Sequence, residues 1–148
     1  MSGLSRSLSV SIIDEEHRDI QRAVVNLMET ILLGASAAKV LESAKQALEV
    51  TGRHFQHEEE LLKAIGFQKL QQHAENHAKI VGVLGRVTEE LMNKDSAAAL
   101  RSLREYRRLL LVHLQSEDEG YRAVVNRHAA EQGIPPLPQR IRHAIPEK

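Results

Sequence analysis

Apolar residues recur every three or four places through four stretches of the chain, and short polar or glycine-bearing breaks separate the stretches. In the first, from about Ser11 to Leu33, the positions Ile13, His17, Ile20, Val24, Leu27 and Ile31 share one helical face, and Gly34 ends it. The second, about Ala37 to Ile65, places Leu41, Ala44, Leu48, Thr51, Phe55, Glu58, Leu62 and Ile65 inward, with Gly66 in the position that closes a helix. The third, about Gln68 to Met92, repeats Leu70, His73, His77, Ile80, Leu84, Val87 and Leu91. The fourth opens at Asp95 or Ser96, either able to cap free amides. It runs through Leu103, Tyr106, Leu110, His113, Leu114, Asp118, Tyr121 and Val125 to about Glu131, before Gly133. Breaks this short favour antiparallel neighbours, so the pattern predicts an all-α protein, an antiparallel up-down four-helix bundle over residues 1–133.

The polar intruders on those apolar stripes are the informative residues. His17, Glu58, His73, His77, His113 and Asp118 stand where a bundle would place leucine or valine, and His54 lies one turn before Glu58. One such histidine is ordinarily satisfied by a neighbour, and one such acid ordinarily reaches solvent. Five imidazoles and two carboxylates at a single level of one bundle are different, because a buried carboxylate costs several kcal/mol unless paired. A pair of cations would satisfy all of them together. Residues four apart on a helix differ by about 40° and about 6 Å, so His73 and His77 can hold one ion, as can His54 and Glu58. His113 and Asp118 are five apart, about 140° around the helix. Asp118 therefore either bridges two ions from the side or is realigned by a local π-bulge.

Composition narrows the chemistry. The chain has 148 residues, enough to bury a core without metal, and no cysteine, so any metal must be held by nitrogen and oxygen. Lys plus Arg and Asp plus Glu are equal at 20 each, which offers no basic field for nucleic acid or an anionic membrane. No apolar run approaches the roughly 18 residues of a spanning helix, and the serine-rich start does not read as a secretory leader. A soluble cytoplasmic protein is expected. Seven ligands exceed the closed tetrahedron of structural zinc. No Glu precedes any histidine by three residues, which weighs against the Glu-x-x-His type of di-iron bundle.

Over about Ile12 to Arg127 the sequence resembles the hemerythrin family, including its bacterial single-domain members. The resemblance rests on Ile13-Asp14-Glu15-Glu16-His17, on His54-Phe55-Gln56-His57-Glu58-Glu59, on His73 with His77, and on His113 through Asp118 to Tyr121. It implies a di-iron centre in which His73, His77 and His113 ligate one iron and His17 and His54 the other. Glu58 and Asp118 would bridge them, together with an oxo or hydroxo group derived from solvent. The second iron would keep a position for O2.

The expected function is therefore a non-haem di-iron protein that binds O2 for storage, delivery or sensing. The alternative is a peroxidase-like or nitric-oxide-reacting di-iron enzyme on the same scaffold. A metal-free interaction bundle is the non-catalytic competitor. Leu109, Leu110 and Phe55 are candidates to line the gas pocket, within an apolar run, Leu109-Leu110-Leu111-Val112, that could keep it dry. The family commonly has a tryptophan near Leu109, and this chain has none. Asp14, Glu59 and Tyr121 are candidates to hydrogen-bond the ligands from outside, whereas His57, His128 and His143 read as edge or surface residues. Residues 134–148, rich in proline and basic, form an extension suited to lie on the bundle or to dock a protein partner.

Overall fold

The computed structural model describes residues 10–120 and Arg127, with side chains from Glu15 to Gln115 and that of Arg127. Asp14 and Asp118 lie on described backbone but outside the described side chains. Tyr121, His128, His143 and residues 134–148 lie outside the described residues altogether.

Four helices follow one another: α1 (Val10–Leu32), α2 (Ala37–Ala64), α3 (Leu70–Met92) and α4 (Ser96–Gly120). They form a four-helix bundle. Each packs chiefly on its neighbours in sequence, and α4 returns to touch α1 more sparsely. The metal-type residues all fall toward one end of the bundle, near the start of α1 and α3 and the end of α2 and α4.

The helix ends follow local chemistry. Ser36 caps α2 by accepting from the Lys39 amide at 3.3 Å, and Asp95 caps α4 by accepting from the Ala98 amide at 3.1 Å. Asp95 rather than Ser96 is thus the residue that starts the fourth helix. Gly34 and Gly66, both at φ 72°, turn the chain out of α1 and α2. There the amides of Ala35 and Phe67 reach back to the carbonyls of Thr30 and Leu62 at 3.0 and 2.9 Å.

The same closure ends α3, where the Asp95 amide reaches the Glu90 carbonyl at 2.9 Å, but Lys94 occupies the left-handed position at φ 60°. A side chain there is strained where glycine is not. Lys94→Gly should therefore stabilise the fold by about 1 kcal/mol, read as a higher melting temperature.

The core runs along the bundle axis through Ile20, Val24 and Leu27 of α1, Ala44 and Phe55 of α2, Ile80, Leu84 and Val87 of α3, and Leu103, Tyr106 and Leu110 of α4. The buried Tyr106 hydroxyl pairs with the buried Thr51 hydroxyl at 2.7 Å. Burial pushes that phenol above its ordinary range, against the Thr51 hydrogen bond. One face differs from expectation. On α2 the buried positions are Val40 and Ala47, while Leu41 and Leu48 only flank the core. The two leucines pack against the core cluster from beside it.

Candidate metal centre

Glu58 is the centre of the arrangement. It is wholly buried, one turn after His54 on α2, and its two carboxylate oxygens face different groups of imidazoles. Oε1 lies 2.8 Å from His73 Nε2, 2.8 Å from His77 Nε2 and 3.6 Å from His113 Nε2. Oε2 lies 3.5 Å from His54 Nε2, which in turn is 3.0 Å from His17 Nε2. His77 and His113 bring their Nε2 atoms within 2.9 Å of each other. Two sets result, Glu58 with His73, His77 and His113, and Glu58 with His17 and His54, each with its ligand-type atoms inside 4.8 Å.

The order in which helices deliver these groups explains the geometry. α3 supplies the i,i+4 pair His73 and His77, whose rings meet edge to face with centroids 4.5 Å apart. α4 supplies His113, α1 supplies His17, and α2 lies between with His54 and Glu58. Phe55, next to His54, stacks flat on His77 at 3.8 Å and 2°, and meets His113 edge-on at 5.6 Å. The same ring belongs to the hydrophobic core cluster.

Two outer carboxylates set the rings. His77 donates from Nδ1 to Glu59 Oε2 at 2.7 Å, and His54 donates from Nδ1 to Glu16 Oε1 at 3.1 Å. A carboxylate can only accept, so each ring carries its proton on the outside and, when neutral, turns a bare Nε2 lone pair inward. The bare Nε2 of His77 stands 2.8 Å from a Glu58 carboxylate oxygen, one lone pair against another, and the two repel. A cation between them converts that repulsion into coordination, and nitrogen with carboxylate oxygen is a donor set that suits iron or zinc. The residues present therefore fit a metal.

The acids are tuned for the same task. Burial pushes the Glu58 carboxyl up, but the imidazoles of His113, His54, His73 and His77 that crowd it outweigh burial and hold the group well below the usual carboxylate range. Glu16 is likewise lowered, its burial being overcome by the hydrogen bonds and charges of His54 and His57. Both remain anions at neutral pH.

A family model described as the hemerythrin HHE cation-binding domain matches residues 8–125. The chain belongs to the hemerythrin family. Neither the search of curated proteins nor that of solved structures returned a match. As a hemerythrin-type domain with a buried His and Glu cluster, the protein is a metal-binding bundle. Among the described residues no helix is long and apolar enough to cross a membrane.

The structure gathers His17, His54, Glu58, His73, His77 and His113, whereas the Asp118 and Asp14 side chains and Tyr121 lie outside the described ones. Glu59 accepts from the outer nitrogen of His77. The expected apolar wall before His113 needs correction. Leu110 is buried and Leu109 partly so, but Val112 is 53% exposed and on the outer face. A helix cannot turn four successive residues to one side. Sequence reasoning also missed Glu16. A signal existed, since Glu16 stands three after Ile13 and four before Ile20, on the border of the inner stripe. His57, read as an edge residue, is the other partner of Glu16.

Proposed function

We propose that the centre holds two iron ions and that this domain binds O2 reversibly, for storage, delivery or sensing. The observation that carries the reading is the unequal division of imidazoles about Glu58: His73, His77 and His113 lie around Oε1, while His54 faces Oε2 with His17 beside it. Glu58 together with His73, His77 and His113 would hold one ion and Glu58 with His17 and His54 another, and the set with fewer nitrogens would be the one able to take a small ligand. Asp118 extends the reading as a second bridge, one level further along α4. Bound iron would supply the reversible exchange of electrons with O2 that no side chain of this protein can provide.

The protein's own residues set the conditions. Glu58 stays charged, so it can serve both sets without first losing a proton. Glu16 and Glu59 keep the protons of His54 and His77 on the outer nitrogens, away from the centre. Phe55 closes the core side. Leu110, fully buried one turn before His113, and Leu114, buried beside it, add apolar surface on α4. Excluding water from such a site protects an oxygen ligand against protonation and loss.

The test is spectroscopic. Protein loaded with iron and reduced without air should change its visible spectrum on exposure to O2 and recover it when O2 is removed, over repeated cycles. It should not consume peroxide or nitric oxide in a sustained steady state. Irreversible oxidation on first exposure, with continuing turnover of either compound, would move the assignment to a peroxidase-like or nitric-oxide-reacting enzyme.

A further inference from the structure

Outside the ligand cluster, one buried group is held from both sides. Glu16, at the inner border of α1, accepts from His54 Nδ1 on Oε1 and from His57 Nδ1 on Oε2. His54 and His57 are three residues apart on α2, so one face of that helix clamps a single carboxylate from α1. Glu16 is buried, whereas the His57 side chain is 27% exposed and contributes nothing to either candidate ligand set.

The clamp has a geometric effect. A carboxylate held through one oxygen can swing about its Cγ–Cδ bond, and a carboxylate held through both has its plane fixed. Glu16 in turn fixes the plane of His54, whose Nε2 faces His17 and Glu58 Oε2. Among the described side chains, this set offers two imidazoles where the other offers three. It should be the weaker of the two and the more dependent on a well-aimed ring.

We propose that His57 is a positioning residue for the second metal ion: by holding the outer oxygen of Glu16 it aims His54, and the His17, His54 and Glu58 set loads after the His73, His77, His113 and Glu58 set. The proposal rests on the two-ion reading above. It gives the domain an ordered loading sequence, the three-imidazole set first.

The test is calorimetric titration of metal-free protein with Co2+ in the absence of air. Wild type should take two ions in two resolved steps. His57→Ala should weaken the second step by about 10–100-fold, the range for loss of an outer hydrogen-bond partner, and leave the first unchanged. His57→Asn, which keeps an N–H at the same distance from the backbone, should restore the second step. Gln56→Ala, exposed on the same helix and outside the clamp, should match wild type. Equal weakening of both steps in His57→Ala, or no weakening of either, overturns the positioning role. Uptake of one ion only by wild type overturns the two-ion reading, and this proposal with it.

Discussion

Glu58→Ala should lose both metal ions, while Glu59→Ala, one residue away with the same chemistry, should retain them with weaker binding at one. The two acids differ only in where α2 points them. Glu58 is buried and within 3.6 Å of the Nε2 atoms of four imidazoles, from α2, α3 and α4. Its removal takes an oxygen from each set. Glu59 is part-exposed and meets the outer nitrogen of His77. Its loss should cost about 10–100-fold at the set that contains His77, and Glu58→Ala should cost more than that at both. Metal titration of the two variants reads the difference. Retention of both ions by Glu58→Ala, with loss in Glu59→Ala, would require the register of α2 to be redrawn.

Phe55→Ala should destabilise the protein by about 3–5 kcal/mol and let water reach the imidazoles. The ring is almost wholly buried and lies against His54, His77 and His113, so truncation opens a cavity whose walls are half core and half ligand. Phe55→Leu should recover most of the stability, since it refills the volume, but not the flat stack on His77. Denaturant unfolding measures the first effect. The second appears as faster irreversible oxidation of the iron-loaded protein in air, which should be largest in Phe55→Ala. Unchanged oxidation in that variant would show that Phe55 packs the core without sealing the centre.

The bundle was legible because its helices obey simple rules. Glycines close α1 and α2, Asp95 opens α4, and the apolar stripes on α1 and α3 lie where a 3.6-residue period places them. The gathered side chains were legible for a complementary reason, since His17, Glu58, His73, His77 and His113 interrupt the apolar stripes of their helices and His54 stands one turn before Glu58. What escaped depends on contacts between helices. That Val40 and Ala47 turn inward while Leu41 and Leu48 flank the core depends on how α2 is rotated against its neighbours, which periodicity along one helix does not fix to one residue. Glu16 and His57 pair across α1 and α2 from border positions, where periodicity is ambiguous by one residue. Each looks like solvated surface until the other is placed beside it.

The most direct measurement is iron content. Protein reconstituted with Fe2+ without air, freed of excess metal and analysed for iron per chain, should hold two ions, and Glu58→Ala treated alike should hold none. Two ions in wild type with the bridging variant empty is the result expected if one carboxylate joins both sets. A single ion per chain in wild type, or two ions still held after Glu58→Ala, would contradict the account.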